Sequence, residues 1–165
     1  MPPSHLPHLH HFVAEVIDRL EGVHVLLDTS GYGPKRGFQE LVGRSDLVFF
    51  DLKLMDPVLH QRYTGCTNDL ILDNLATLSA SGKPFVIRIP LVPGVTDTDQ
   101  NLESIARTIR GLPGLTGVDL LPYNGSAGSK YRYAGMEFKP DYDETRPLNI
   151  NRKPFEQCGV KVRVA

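Results

Sequence analysis

The chain has 165 residues, 41% of them hydrophobic, and its 18 basic residues nearly balance 19 acidic ones. A chain of this length forms one domain that buries roughly two-thirds of its unfolded surface. The even charge and the lack of a basic block argue against a protein that binds nucleic acid. No stretch approaches the roughly 18 apolar residues of a membrane-spanning helix, and the start lacks a signal-peptide pattern. We therefore expect a cytoplasmic protein with no membrane or nucleic-acid partner.

The first eleven residues are rich in histidine and proline. Four imidazoles could bind a metal: His5, His8, His10 and His11. However, no cysteine or carboxylate accompanies them in this stretch, and three prolines interrupt it. The sequence therefore predicts an irregular leader over residues 1–11, followed by a single incomplete domain over residues 12–165.

After the leader, apolar residues recur first at helical spacing and then in short runs. In chain order, these patterns predict a helix over residues 11–20, strands over 23–27 and 47–52, helices over 57–63 and 68–80, a strand over 85–91, a helix over 99–112, and strands over 117–121 and 160–164. Three prolines interrupt residues 139–158, which predicts an irregular segment and one short helix before the last strand. Apolar strands separated by helices indicate a parallel α/β sheet, either doubly wound or a partial barrel.

Charged side chains occur where the predicted strands end. Asp28 follows the first strand, and Asp51 and Lys53 end the second, on one face because residues i and i+2 of a strand point the same way. Arg88 lies inside the third strand, where an unpaired charge is costly, so we expect a carboxylate or an anionic ligand to contact it. Parallel sheets bind ligands at the carboxyl ends of their strands. We therefore predict a site at this edge, with purely structural ion pairs as the alternative.

Four motifs follow one another along the chain. They are LDTSG at 27–31, FDLK at 50–53, IRIPLVPGVTD at 87–97 and LLPY at 120–123, and CGVKV at 158–162 leads into the last strand. From about residue 12 onward, the chain resembles the glycyl-radical enzyme activating enzymes, the family of the pyruvate formate-lyase activating enzyme. The resemblance implies the α/β fold of a radical S-adenosylmethionine (SAM) oxidoreductase: a partial (β/α) barrel, truncated at the N-terminus, with about five mostly parallel strands.

The resemblance also implies a reaction and a site. In complete members of the family, a 4Fe-4S cluster binds SAM and cleaves it reductively, and the resulting radical takes a hydrogen atom from a glycine of a partner, the glycyl-radical enzyme. By resemblance, Asp28, Thr29 and Asp51 are ligands of a monovalent cation, an ion that hard oxygen ligands suit. The cofactor-binding residues implied in the same way are Lys53 for the SAM carboxylate, Arg88 in the same cavity, Val92 near the nucleoside, and Asn124 in place of a histidine.

Two elements of the family pattern are absent from this sequence: the CxxxCxxC cluster motif and the glycine-glycine-glutamate turn that holds the SAM amino group. The two cysteines, Cys66 and Cys158, cannot bind a cluster in the family manner. We therefore expect this chain alone to be inactive and to bind SAM weakly at best. The alternatives are a stand-alone module that binds a nucleoside or a peptide, and a truncated radical SAM protein of another subfamily, such as a ribonucleotide reductase activator or a deazapurine synthase.

The predicted first strand raises a separate expectation. If it lies at an uncovered edge of the sheet, its free backbone groups can pair with another chain. We therefore predict self-association through residues 23–27, or a leader folded over that edge.

Overall fold

The computed structural model describes residues 9–125, 131, 133, 135–137 and 139–165. Within them the chain order is α1 (Leu9–Asp18), β1 (Leu26–Thr29), α2 (Lys35–Arg44), β2 (Leu47–Asp51), α3 (Pro57–Thr64), α4 (Asp69–Ala80), β3 (Phe85–Leu91), α5 (Asp99–Ile109), β4 (Leu115–Pro122), α6 (Lys153–Glu156) and β5 (Val162–Val164). Residues 1–8 of the predicted leader lie outside this part of the chain. None of the described helices has the length and apolar character needed to cross a membrane.

The five strands form one sheet in the order β1-β2-β3-β4-β5, and every neighbouring pair is parallel. Crossovers between parallel strands are right-handed, so a sequential strand order keeps the connecting helices on one face of the sheet. A doubly wound sheet would reverse its strand order partway. The order therefore matches a partial barrel, and the predicted α/β fold with about five parallel strands is confirmed.

The helix-covered face of the sheet carries the hydrophobic core. Strands β2 and β3 contribute Val48, Phe50, Ile87 and Ile89 to it, and all four side chains are fully buried. Helices α4 and α5 cover these strands with residues at helical spacing: Leu75, Leu78, Leu102, Ile105 and Ile109. Burying one such side chain contributes about 1.5–3 kcal/mol. The core therefore fixes the sheet and leaves its other face available for polar groups.

The N-terminal part of the prediction needs two corrections. Helix α1 includes Leu9, His10 and His11, so these three residues of the predicted irregular leader are helical, and His10 packs closely on Gly37 of α2. Helix α2 itself is absent from the prediction. Its buried apolar stripe consists of Phe38 and Val42, and the glycines within the helix lower its intrinsic propensity. Packing against α1 and α4 stabilises it instead.

Strands β1, β4 and β5 also differ from the prediction in their bounds. Strand β1 begins at Leu26 rather than at residue 23, and it continues through Asp28 and Thr29 because both residues still pair with β2. The amide of Val25 donates to the carboxylate of Asp46 at 2.8 Å, outside the strand. Strand β4 is longer than predicted, and β5 is shorter, with three residues.

Candidate functional site

A row of charged side chains crosses the face of the sheet opposite the core. The strand register aligns Asp51 of β2 with Arg88 of β3, Arg88 with Asp119 of β4, and Asp119 with Arg163 of β5. Residues that are neighbours in register point to the same face of a sheet. Acidic and basic groups therefore alternate across four strands.

Arg88 is the central cation of this charged row. Its Nη1 donates to Asp28 Oδ2 at 2.7 Å, and its Nε donates to Asp51 Oδ1 at 3.2 Å. The guanidinium also lies over the ring of Phe49, 5.4 Å from the ring centroid. The expectation that a carboxylate contacts Arg88 is confirmed. One guanidinium thus pairs with aspartates of two neighbouring strands.

Lys53 lies just beyond the end of β2, with Asp51 as its ion-pair partner. The Lys53 Nζ and Asp51 Oδ2 atoms are 3.9 Å apart, and the side chains are 36% and 16% exposed, respectively. Burial raises the pKa of the Asp51 carboxyl above its ordinary value, while the positive charges of Arg88 and Lys53 oppose that rise. The long ion pair leaves the Lys53 ammonium able to contact an added anion.

A cavity of about 240 Å³ adjoins these groups, and Asp51, Lys53, His60 and Cys66 are among the residues that line it. His60 is buried, and its Nδ1 lies 2.7 Å from the carbonyl oxygen of Cys66. An Nδ1–H that donates to this carbonyl leaves Nε2 as an acceptor. The sequence prediction misses His60, because α3 has only a weak amphipathic pattern that does not separate inward from outward residues.

Buried asparagines hold the loop that carries Lys53. Asn101 of α5 donates to the carbonyl oxygens of Lys53 and Thr96, both at 2.8 Å, and accepts from the amide of Met55 at 2.9 Å. Asn68, just before α4, donates to two further carbonyl groups of the same loop. Both side chains are buried. The position of Lys53 is therefore fixed from two helices, a role that the sequence prediction misses.

The loop after β1 is held in a similar way. Asn74 of α4 donates to the carbonyl oxygens of Gly31 and Gly33, at 2.8 and 2.9 Å. Gly31 has a φ of 70°, and a Cβ at this position would overlap the ring of Phe50. Packing therefore requires the glycine of the LDTSG motif.

The structure places three other predicted site residues outside the charged row. Thr29 pairs in register with a core residue of β2, so it points to the helix-covered face, and its hydroxyl accepts from the amide of Gly31 at 3.0 Å. Val92 follows β3, and its amide donates to the hydroxyl of Thr96 at 2.6 Å. Asn124 follows β4 and is exposed. The predicted cation ligands Asp28 and Asp51 meet through Arg88, whereas the hydroxyl of Thr29 does not join them.

Asp119 and Arg163 form a close ion pair that the predicted site lacks. Arg163 donates to both carboxylate oxygens of Asp119, each at 2.8 Å, and Asp119 is 4% exposed. Bidentate contacts of this kind are among the stronger ion pairs in proteins. A signal was present in the sequence, because Asp119 interrupts an apolar run in β4 just as Arg88 does in β3.

Comparison with known proteins identifies the fold and the family. The sequence profile described as the Radical SAM superfamily matches residues 2–107. The chain belongs to the radical SAM superfamily. A crystal structure of a domain of pyruvate-formate lyase-activating enzyme from Bacteroides vulgatus ATCC 8482 matches this radical SAM chain with a TM-score of 0.76 and 25% sequence identity. The match covers 95% of this chain and 91% of that one.

Curated relatives of this radical SAM chain carry the names of activating enzymes. Trans-4-hydroxy-L-proline dehydratase activating enzyme of Clostridioides difficile is 37% identical, over 93% of this chain and 53% of the relative. Pyruvate formate-lyase-activating enzyme of Streptococcus mutans serotype c (strain ATCC 700610 / UA159) is 34% identical, over 72% of this chain and 47% of the relative. The resemblance to glycyl-radical enzyme activating enzymes is confirmed. The chain spans about half the length of these relatives.

The cysteines of this radical SAM chain do not fit an iron-sulfur cluster. Such clusters are held by several thiolates that converge on one place. Cys66 lines the cavity beside Asp51, whereas Cys158 follows α6 and accepts from Arg110 Nε at 3.4 Å. The two thiols of the sequence therefore lie at separate places, and neither place has the donor set of a cluster.

Proposed function

We propose that this chain is part of a glycyl-radical enzyme activating enzyme of the pyruvate formate-lyase activating type. In the complete protein, SAM would be cleaved reductively, and a hydrogen atom would be taken from a glycine of a partner, a glycyl-radical enzyme. The names of the curated relatives and the ordered motifs support this assignment over a radical SAM protein of another subfamily.

The observation that carries the proposal is the position of Lys53 beside Asp51, the last residue of β2, which also pairs with Arg88 of β3. A compact ammonium suits a small anion, so Lys53 would pair with the carboxylate of SAM. Arg88 does not line the cavity beside Lys53, so it would act there through Asp51 while it holds the neighbouring carboxylates. Val92, which follows β3, would contact the nucleoside, and Asn124, which follows β4 in place of a histidine, would hydrogen-bond a carboxylate.

We also assign Asp28 and Asp51 to a monovalent cation beside the SAM carboxylate. Carboxylate oxygens suit such an ion. The hydroxyl of Thr29 is bonded to the Gly31 amide, so its side chain would have to give up that contact to join them. Since Arg88 already pairs with both aspartates and Lys53 with Asp51, we expect a cation to bind weakly to the chain alone.

A titration followed by amide NMR tests the SAM-binding proposal. We expect SAM to shift the amide signals of residues 51–55 more than 5′-deoxyadenosine does, because the nucleoside lacks the carboxylate that Lys53 binds. Lys53→Ala should abolish this difference. Lys161 is an exposed lysine directly before β5, so Lys161→Ala serves as the control and should preserve the difference. Equal shifts with both ligands, or no shifts at millimolar SAM, would contradict the assignment of Lys53.

A second experiment tests the chemistry. When bound, a 4Fe-4S cluster supplies the electron for reductive cleavage of SAM. Because the cysteines of this chain do not fit a cluster, we expect no 5′-deoxyadenosine after incubation of the chain with iron, sulfide, dithionite and SAM. A relative with its own cluster motif serves as the positive control. Recovery of 5′-deoxyadenosine in amounts that scale with the concentration of this chain would contradict the prediction.

A further inference from the structure

Two histidines and a glutamate meet where α1 packs on α2, on the helix-covered side of the molecule. One coordinating atom from each of His10, His11 and Glu40 lies within 4.8 Å of the other two. Residues 1–11 contain no carboxylate, and the fold supplies one from a different helix, α2. Imidazole nitrogens with a carboxylate oxygen form a typical ligand set for a divalent transition metal.

The distances between these atoms fit a shared ion better than direct contact. Glu40 Oε2 lies 3.9 Å from His10 Nε2 and 3.6 Å from His11 Nδ1. Both separations are too long for hydrogen bonds. In a tetrahedral zinc site with bonds of about 2.0–2.1 Å, two ligand atoms are roughly 3.3 Å apart. The two nitrogen atoms lie within 4.8 Å of each other, and the rings are 4.0 Å apart, so side-chain rotation would have to bring the three atoms to one ion. We propose that His10, His11 and Glu40 form a Zn²⁺ site that joins α1 to α2.

Neighbouring residues already orient two of these ligands. The ring of His10 packs on Gly37, where an added Cβ would lie 2.8 Å from His10 Cγ. Arg44 Nη1 lies 3.4 Å from Glu40 Oε1, which leaves Oε2 directed at the histidines. Asp18 of α1 in turn accepts from Arg44 Nε at 2.8 Å. Contacts of this kind hold metal ligands in place and tune their affinity.

The site also leaves room for a fourth ligand. His11 has a side chain that is 54% exposed, so water reaches the position between the ligands. Three protein ligands and one water complete a tetrahedral zinc shell. Because the ligands come from the first turn of α1 and from the middle of α2, zinc would hold the N-terminal helix against the rest of the domain.

Zinc binding by the purified chain tests the site. We expect Zn²⁺ to bind by competition with a chromophoric chelator, and Co²⁺ to give the visible absorption of a tetrahedral complex. At zinc hundredfold above its Kd, the Tm should rise by roughly 5–10 °C. Glu40→Gln and His11→Ala should each weaken zinc binding at least about tenfold and remove the rise in Tm. Gly37→Ala removes no ligand but displaces His10, so it should also weaken binding about tenfold or more.

Two controls separate this site from adventitious binding by histidine. His24→Ala removes an exposed histidine outside the cluster and should leave zinc affinity unchanged. The double variant His5→Ala/His8→Ala tests the leader and should retain the dependence on Glu40. Zinc affinity that survives Glu40→Gln, or that is lost only in the leader variant, would overturn the proposal. Circular dichroism and urea unfolding without zinc establish that each variant is folded.

Discussion

Asn101 offers a direct test of how the site is held. Its side chain, 7% exposed, makes three hydrogen bonds of 2.8–2.9 Å to backbone groups of Lys53, Met55 and Thr96. Asn101→Ala removes all three bonds and leaves an amide and two carbonyl groups without these partners. The substitution therefore acts on stability and on the position of Lys53 together.

The expected size of the effect follows from these contacts. A buried hydrogen bond contributes about 1 kcal/mol net, so the loss of three should lower the free energy of unfolding by about 3 kcal/mol. The better helix propensity of alanine returns roughly 0.5 kcal/mol. The remaining 2–3 kcal/mol corresponds to a fall in Tm of roughly 5–10 °C for a domain of this size.

Urea unfolding followed by circular dichroism measures this change, with Gln100→Ala as the matched control. Gln100 is the preceding residue on the same helix and is exposed, so its truncation should change stability by less than about 0.5 kcal/mol. Hydrogen exchange adds a local readout, because the Met55 amide should exchange faster in Asn101→Ala. A decrease in the free energy of unfolding below about 1 kcal/mol, with unchanged hydrogen exchange at the Met55 amide, would refute the role of Asn101 in holding this loop.

Two further predictions concern the sheet. Burial raises the pKa of the Asp51 carboxyl, so the folded chain binds a proton more readily than the unfolded chain between the ordinary and the raised pKa. As the pH rises through this window, the free energy of unfolding of the wild type should therefore fall relative to that of Asp51→Asn. Urea unfolding at several pH values measures both, and the same pH dependence in the two proteins would contradict the prediction. Strand β1 ends the sheet and exposes Leu26, so sedimentation should show concentration-dependent dimers that Leu26→Lys weakens. A monomer at all concentrations would count against association through this edge.

The sequence predicts the sheet well because its strands are encoded locally. Strand β2 is an apolar run that ends at Asp51, and β3 is an apolar run that Arg88 interrupts. Such runs bounded by turns are sufficient to locate buried parallel strands. Helix α2 is different, since its glycines weaken the helical pattern and its stability comes from packing on α1 and α4. Contacts of that kind join residues distant in sequence, which periodicity does not detect.

The site is only partly predictable for a related reason. A charged residue inside an apolar strand indicates a partner of opposite charge, and Arg88 has two such partners, Asp28 and Asp51. The face of the sheet on which the Thr29 side chain lies depends on where β1 ends. An end at residue 27 would place Asp28 and Thr29 together in a loop, whereas a strand that continues through Thr29 turns their side chains to opposite faces. A difference of two residues in a boundary thus separates two predicted ligands of one ion.

The buried asparagines that hold the loops after β1 and β2 show a further limit of sequence reasoning. Asn68, Asn74 and Asn101 are polar residues at or within helices, where polarity usually marks the solvent face. Their burial becomes apparent only once the loops after β1 and β2 contact these side chains. Each amide then satisfies backbone groups that would otherwise be buried without partners. Loops that present charged side chains are held rigidly by this arrangement.

The charge balance of the site indicates which contact an incoming anion would replace. Its ion pairs join three acidic and three basic side chains: Asp28, Asp51, Asp119, Lys53, Arg88 and Arg163. An added carboxylate must therefore compete with one already present. The Lys53–Asp51 pair, at 3.9 Å, is the longest of them, whereas Arg88 and Arg163 each make a contact of 2.7–2.8 Å. Because attraction between charges falls with distance, Lys53 exchanges its partner at the lowest cost. Arg88 would then remain between the aspartates of β1 and β2. Under the proposed assignment of Lys53, one cation would therefore bind the ligand while its neighbour preserves the sheet.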